Sequence, residues 1–207
     1  ATLLAVQQET AAIATMGAIT QVGNQTNQEG KQQPTAPLPT PLAPPQTPVY
    51  CNPNVMNAMK LAYETAQMKT ILNKAQGLDD PGHQMEGGFP VYQNGGVTTV
   101  GDIGYGPATG WDPQNGATGA SAVFHTHPNG SGLPSTPGNT ASEGGSGDTG
   151  YAIQDQVDNY VISWNGLSVA KASGPLNPPK KGWDPWVVKG NGPGDWFKKL
   201  KAKCGSK

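Results

Sequence analysis

Residues 120–128 read Ala-Ser-Ala-Val-Phe-His-Thr-His-Pro, and most of what the sequence predicts depends on this stretch. A short apolar run leads into two histidines, His125 and His127, which are two positions apart. Alternate residues of a β-strand point to the same face of a sheet. If this strand ends at a polar cleft, both imidazoles can bind one metal ion at about 2.0–2.1 Å.

Polar residues on both sides of this stretch can complete a metal site. Downstream, Ser135 is followed by a Gly/Ser/Thr-rich stretch and then by Asp148, which can supply a third ligand through oxygen. Upstream, Glu86 stands at the head of a strand-like segment that ends at the turn signal Asn94-Gly95-Gly96. We interpret Glu86 as a candidate general base.

The candidate residues follow the order of a known metallopeptidase pattern: Glu86, His125, His127, Pro128, Ser135 and Asp148. This order resembles the JAB/MPN/Mov34 (JAMM) metallopeptidases, in which a glutamate before a Gly-containing strand is followed by HxHP, serine and aspartate. The flanking residues look most like the bacterial secreted and toxin-associated, DUF4329-like branch. The resemblance covers about residues 51–173. It implies a cytidine-deaminase-like, JAMM-type fold with a mixed sheet flanked by helices.

The resemblance also implies zinc hydrolase chemistry. His125, His127 and Asp148 would bind Zn²⁺ and leave a fourth position for a water molecule. Glu86 would take a proton from that water and pass it to the leaving amine. A hydroxyl from Ser135 would stabilise the developing oxyanion. The expected substrate is a peptide or isopeptide bond, in a protein or in peptidoglycan.

One departure from the family pattern lies between the serine and the aspartate. The family usually separates them by two residues, whereas residues 136–147 lie between Ser135 and Asp148 here. A flexible insertion costs little closure entropy, because doubling a loop adds only about 0.6 kcal/mol. Asp148 can therefore still be a ligand. Ser146 also precedes Asp148 closely and is the alternative site serine, although Ser135 follows the histidines at the family's distance.

Composition narrows the class of protein. The chain has 207 residues, 29 Gly, 20 Pro and 13% charged residues, which indicates one domain with long irregular stretches. The net charge of −1 gives no electrostatic case for nucleic acid binding. No apolar run is long enough to predict a membrane span. Low Lys and Glu content favours a secreted, periplasmic or cell-surface protein. Ala1 is expected to be a terminus left by processing, and the alternative is an artificial boundary.

Two cysteines, Cys51 and Cys204, lie near the two ends of the expected folded unit. A disulfide between them would tie these ends together and contribute about 4–5 kcal/mol in the chain-entropy model. The alternative is two free cysteines. Zinc ligation by these residues is not favoured, because neither has a close partner of the CxxC type. His83, the third histidine, follows Asp79-Asp80-Pro81-Gly82 and is expected at the surface rather than in the site.

The sequence divides into four regions. Residues 1–24 have apolar residues at mostly three-residue steps, which predicts a weakly amphipathic helix. Such a helix is marginal alone in water, so it docks on the domain, packs with copies of itself, or binds a secretion or assembly partner. Residues 25–50 form a polar and proline-rich linker. Residues 51–173 form the JAMM-like domain. Residues 174–207 form a Trp/Pro/Gly-rich tail, whose tryptophans cover a core edge or bind a ligand.

Periodicity within the domain predicts an α/β (α+β) fold. A helix is expected from Asn52 to Gly77, with an apolar face that includes Leu61, Ile71 and Leu72. A short helix is expected after Asp148. The strand predictions cover residues 88–93, 96–103, 121–127, 159–164 and 167–172, with a hairpin turn at 165–166.

Two functional hypotheses from different classes follow. The first is an exported zinc hydrolase of amide bonds. The second is a structural or self-assembling extracellular protein that keeps the fold with little or no catalysis, and whose residues 1–50 mediate assembly. The two are distinguished by whether Glu86→Gln removes hydrolysis or deletion of residues 1–50 removes assembly.

Overall fold

A computed structural model describes the chain from Thr47 onward, with gaps, and all described residues belong to one compact unit, residues 43–207. The predicted helix 1–24 and most of the linker 25–50 lie outside the described residues. So do Pro128 and Ser146. The described residues are 47–108, 117–127, 132–136, 147–174 and 184–206.

Three α-helices and seven strands are formed by the described residues. The helices are α1 (Pro53–Ala75), α2 (Gly147–Asp155) and α3 (Pro193–Gly205), and two short 3-10 turns span Val49–Cys51 and Pro81–His83. The strands are β1 (Met85–Asn94), β2 (Val97–Val100), β3 (Gly104–Pro107), β4 (Ala122–Thr126), β5 (Asp158–Ser163), β6 (Gly166–Ala170) and β7 (Trp186–Lys189).

The seven strands form one mixed sheet in the order β2-β1-β4-β5-β6-β7, and β3 pairs with β1 as well. The described strand pairs are antiparallel except β4 and β5, which run parallel. A parallel pair needs a crossover connection, and α2 lies on the crossover between β4 and β5. The predicted mixed α/β architecture is therefore confirmed.

Residues at its two ends determine where helix α1 begins and ends. The side chain of Asn52 accepts a hydrogen bond from the Asn54 N–H, and Pro53 occupies the first turn, where a missing N–H costs nothing. Gly77 follows the helix with φ +81°, a conformation that glycine adopts readily. The centre of the buried face is formed by residues three or four positions apart, Val55, Met59, Ala62 and Ala66, and Met56, Ala58 and Tyr63 are buried beside them.

The predicted apolar face of α1 was wrong for Leu61, Ile71 and Leu72, whose side chains are more than half exposed. At about 100° per residue, these positions lie roughly 160–260° around the helix from Val55. They therefore point away from the sheet. With Met68, which is also more than half exposed, they form an apolar stripe on the outer side of α1.

The core lies between the sheet and helices α1 and α3. Phe89, Phe124 and Tyr160 come from adjacent strands and stack in series, with ring centroids 5.2 and 4.5 Å apart. Removing such side chains from water stabilises the fold by roughly 1.5–3 kcal/mol each. Because side chains alternate along β4, His125 lies on the opposite face of the sheet from Phe124. Helix α2 packs against that second face.

The structure differs from the sequence prediction at residues 96–103, which do not form one strand. Strand β2 ends at Val100, and β3 begins at Gly104. The Gly101 N–H donates to the carbonyl oxygen of Pro90, and a Cβ on Gly101 would lie 2.7 Å from the Pro90 ring. The backbone therefore bends around Pro90. Residues 97–100 pair with one part of β1, and Gly104–Pro107, just beyond the predicted segment, pair with another part of it.

The tail contributes a strand and a helix that the sequence did not predict. Strand β7 extends the sheet beside β6, and α3 packs on both. Trp196 on α3 is fully buried, and its Nε1–H donates to the carbonyl oxygen of Ser163 at 3.1 Å. This tryptophan covers the core, which is one of the two roles expected for the tail.

The predicted disulfide is present. Cys51 and Cys204 are bonded, their Cα atoms lie 5.3 Å apart, and 153 positions separate them in the sequence. The bond ties the segment that precedes α1 to the last turn of α3, and both cysteines pack against the core cluster. Among the described helices, none is long and apolar enough to cross a membrane.

Candidate metal centre

Strand β4 carries both histidines to one end of the sheet. His125 is the fourth residue of β4, and His127 is the first residue after the end of this strand. The His127 N–H donates to the carbonyl oxygen of Ile162 on β5. The side chain of His125 is 2% exposed and that of His127 is 15% exposed. Their Nε2 atoms lie 3.1 Å apart. The two imidazoles therefore share one face, as the alternation along a strand predicts.

Asp148 reaches the same point from the first turn of α2. Its Oδ1 lies 3.0 Å from the Nε2 of His125, and its Oδ2 lies 3.3 Å from the Nε2 of His127. Within the described residues, these three side chains form a group whose donor atoms all lie within 4.8 Å of one another. The structure thus brings together the three predicted ligands, although 136–147 separate Ser135 from Asp148 in the sequence.

The spacing and chemistry of these donor atoms fit a metal ion. Two ligand atoms that each lie about 2.0–2.1 Å from a tetrahedral ion are about 3.3 Å apart. The observed separations of 3.0, 3.1 and 3.3 Å are close to that value. Two imidazole nitrogens and one carboxylate are also a donor set that divalent zinc accepts. The His125, His127 and Asp148 group can therefore hold a metal ion.

Ser135 holds Asp148 in place through two reciprocal hydrogen bonds. The Ser135 N–H donates to Oδ2 of Asp148 at 2.7 Å, and the Asp148 N–H donates to the Ser135 Oγ at 2.9 Å. The Thr149 N–H also donates to the Ser135 carbonyl oxygen at 3.1 Å. These bonds join the segment after the histidines to the start of α2. The hydroxyl of Ser135 still carries its own hydrogen, which these three bonds do not use.

Gly147 allows this close approach. Its φ is +61°, and a Cβ there would lie 2.8 Å from the Thr136 carbonyl carbon and 2.9 Å from the Ser135 carbonyl oxygen. A larger residue would therefore be strained by its backbone conformation and would also push Asp148 away from Ser135.

Glu86 lies on the same face as the histidines. Strand β1 pairs with β4 so that Gly88 is opposite His125, which places Glu86, two residues earlier, beside the position of His127. Burial raises the pKa of the Glu86 carboxyl to about 8; the charge of His127 lowers it and that of Asp148 raises it further. Glu86 is not one of the three convergent donors. This placement suits a proton-transfer group rather than a ligand.

Asp148 has the opposite electrostatic behaviour. Burial acts to raise the pKa of its carboxyl, but the charge of His125 and hydrogen bonds with both imidazoles lower that pKa well below 3.8. The carboxylate is therefore ionised at neutral pH. An ionised carboxylate is the form that binds a metal ion.

Two supporting residues were missed by the sequence analysis. Asn159 on β5 places its Oδ1 3.0 Å from the Nδ1 of His125, and both side chains are buried. Thr126 accepts a hydrogen bond from the Gly87 N–H at 2.8 Å, which fixes the end of β1 that carries Glu86. The first contact depends on the parallel pairing of β4 with β5, and no local sequence signal predicts that pairing.

The remaining predicted residues lie elsewhere. His83 is the last residue of the second 3-10 turn and places its Nδ1 2.7 Å from the Oδ2 of Asp80, outside the metal-binding group. Cys51 and Cys204 form the disulfide near the opposite face of the sheet. Pro128 and the alternative serine, Ser146, lie outside the described residues, so the choice between Ser135 and Ser146 as oxyanion donor stays a prediction.

Comparisons with protein-family models, with curated proteins and with solved structures found no match for this chain. The chemistry of the site itself is therefore what indicates a function.

Proposed function

We propose that this protein is an exported, zinc-dependent hydrolase of peptide or isopeptide bonds, with a JAMM-like arrangement of site residues. The observation that carries the proposal is the convergence of His125, His127 and Asp148, with the partly buried, protonatable Glu86 beside them. Three ligands leave a fourth position free, which is typical of catalytic rather than structural zinc sites.

Zinc, when bound to the three ligands, would supply Lewis acidity that activates a water molecule and polarises the carbonyl group of the substrate. The protein's residues supply the proton transfers. Glu86 would accept a proton from the attacking water at its carboxylate oxygen and deliver it to the leaving amine. A carboxyl group whose pKa lies near the working pH can do both, because neither its acid nor its base form is strongly disfavoured.

Ser135 would have two roles in this mechanism. Its N–H orients the carboxylate of Asp148, as the 2.7 Å contact indicates. Its hydroxyl would donate its remaining hydrogen to the substrate carbonyl oxygen as negative charge develops there.

The proposed location outside the cytosol agrees with the disulfide between Cys51 and Cys204. Disulfides persist in oxidising compartments and are rare in the cytosol. Peptide cross-links of the cell envelope and foreign proteins are therefore the first substrate classes to test.

The direct test is Glu86→Gln in the zinc-loaded protein, assayed on isopeptide-linked and peptidoglycan-derived peptides. We expect zinc to stay bound and the rate of hydrolysis to fall by about 10²-fold or more, because the amide cannot accept the proton. Glu64→Gln is a matched control, since the side chain of Glu64 on α1 is 61% exposed and pairs only loosely with Lys60 at 3.7 Å.

Two results would contradict the proposal. One is wild-type, zinc-loaded protein that cleaves none of these amide bonds. The other is Glu86→Gln protein that binds zinc and still hydrolyses them at the wild-type rate.

A second candidate function is a structural or self-assembling protein that keeps the fold without catalysis. The exposed apolar stripe of α1, formed by Leu61, Met68, Ile71 and Leu72, favours it. Such a surface is typical of a protein contact. Replacing these four residues by Gln or Lys would then abolish association measured by light scattering, as would deletion of residues 1–50, while Glu86→Gln would change nothing.

A further inference from the structure

The side chain of Asn159 occupies an unusual place for an amide group. It is 1% exposed, it lies on β5 beside β4, and it faces the same side of the sheet as the metal-binding group. The parallel register places Asn159 opposite Val123, so that its side chain reaches His125 two residues further along β4. The contact joins the Oδ1 of Asn159 to the Nδ1 of His125 at 3.0 Å.

This contact determines which nitrogen of His125 can bind a metal. An amide oxygen only accepts hydrogen bonds, so the Nδ1 of His125 must carry a hydrogen to make the contact. In a neutral imidazole the other nitrogen, Nε2, then has a free lone pair. That Nε2 is the atom that lies 3.0 Å from Asp148 and 3.1 Å from the Nε2 of His127.

The amide nitrogen of Asn159 shows that placing this side chain here lowers the stability of the fold. The Nδ2 of Asn159 is buried, and no described residue accepts a hydrogen bond from it. A buried amide N–H₂ without an acceptor destabilises a fold, and an apolar residue of similar size would avoid that loss. The amide is thus a poor choice for packing alone, whereas its oxygen has a specific partner.

We propose that Asn159 is a positioning residue of the metal centre, whose Oδ1 accepts the Nδ1–H of His125 and so aims the Nε2 lone pair at the metal ion. This inference rests on the proposed metal site and adds a residue to it. Residues that hold a ligating histidine in this way raise metal affinity by about 10–100-fold.

The test measures zinc affinity by competition with a chromophoric chelator, using the whole chain with its disulfide intact. For Asn159→Leu, whose side chain has the same branched shape but no acceptor, we expect the Kd for zinc to rise by about 10–100-fold. Asn159→Asp keeps an acceptor for the Nδ1–H and should restore affinity to near the wild-type value. Ser163→Ala is the matched control, because Ser163 is buried on the same strand but bonds to Gly166 instead. Its zinc affinity should equal that of the wild type.

A second measurement needs no substitution and protects the test against a variant that does not fold. In zinc-loaded wild-type protein, proton NMR should show a slowly exchanging imidazole N–H that correlates with the Nδ1 of His125. The Asn159→Leu protein, if folded, should lose this protection from exchange while keeping its other buried amide signals.

The possible results separate this inference from the proposed function. Wild-type protein that binds zinc, with Asn159→Leu binding within about twofold of it, would overturn the role of Asn159 alone. If zinc binds through the Nδ1 of His125 and NMR shows no slowly exchanging Nδ1–H, the role of Asn159 is overturned as well. Wild-type protein that binds no zinc would overturn both, and the unsubstituted chain alone would show it.

Discussion

At the scale of single residues, the site contains two carboxyl groups with opposite tendencies, the buried Asp148 and the partly buried Glu86. Two imidazoles hold the pKa of Asp148 well below 3.8, whereas burial raises that of Glu86 to about 8. Environments that separate the pKa values of neighbouring groups commonly assign them different tasks. Here the ionised Asp148 suits metal ligation, and the protonatable Glu86 suits proton transfer.

The raised pKa of Glu86 predicts how stability depends on pH in the metal-free protein. The unfolded chain loses this proton near pH 4.5, but the folded chain keeps it until about pH 8. Between these values the folded state binds more protons, so the free energy of unfolding falls as the pH rises, by at most about 1.4 kcal/mol per pH unit from this group. Glu86→Gln has no proton to lose, and we expect its unfolding free energy to fall less steeply over this range.

Urea denaturation with a chelator present, repeated from about pH 5 to pH 8, measures this difference. Glu64→Gln, at an exposed position, should follow the wild-type slope. Equal slopes for Glu86→Gln and wild type would show that Glu86 is not held protonated by burial.

The sequence alone predicts the positions of residues that are close together in the chain or that follow a recognisable order. His125 and His127 share a face because they are two positions apart on a strand, and Asp148 could be identified by its order in the pattern. Asn159 could not, because its contact with His125 depends on the register between β4 and β5. Two strands so far apart in sequence acquire that register only when the whole sheet forms.

At the scale of elements, the end of β4 and the start of α2 meet at the site. Gly147→Ala is expected to disturb this junction, because its Cβ would lie 2.8–2.9 Å from backbone atoms of Ser135 and Thr136. We expect zinc affinity to fall by about tenfold or more as Asp148 is displaced. Gly77→Ala is the control, since Gly77 also has a positive φ but nothing lies within 4 Å of an added Cβ.

The Gly77→Ala protein should lose about 1–2 kcal/mol of stability from backbone strain and keep its zinc affinity. The measurement combines urea denaturation with chelator competition. Equal zinc affinity in the two variants would show that the contact between Gly147 and the Ser135 segment does not position Asp148.

The extents of α1 and β4 were predicted well, because Asn52, Pro53 and Gly77 mark the ends of the helix and a short apolar run marks the strand. The prediction failed at residues 96–103, where the bend around Pro90 depends on a neighbouring strand. It also missed β3, β7 and α3. Strand β7 and helix α3 both pack against β6, and that contact between distant parts of the chain is not visible in the local sequence.

At the scale of the whole molecule, the disulfide closes nearly the entire described unit into one loop. We expect Cys51→Ser/Cys204→Ser to lower the free energy of unfolding by about 4–5 kcal/mol in the chain-entropy model, because the bond spans 153 positions. Denaturation without reductant measures this loss, and wild-type protein under reductant should match the double variant. Zinc content should not change, since both cysteines pack on the face away from the histidines. Unchanged stability would show that the bond does not constrain the unfolded chain.

The central claim is that His125, His127 and Asp148 form a zinc site, and elemental mass spectrometry of the purified protein tests it most directly. We expect about one zinc ion per wild-type chain and none in His125→Ala/His127→Ala, because loss of two of three ligands leaves a single carboxylate. Wild-type protein that contains no zinc, and takes up none on reconstitution, would contradict the claim. Zinc retained in full by the double variant would contradict it equally.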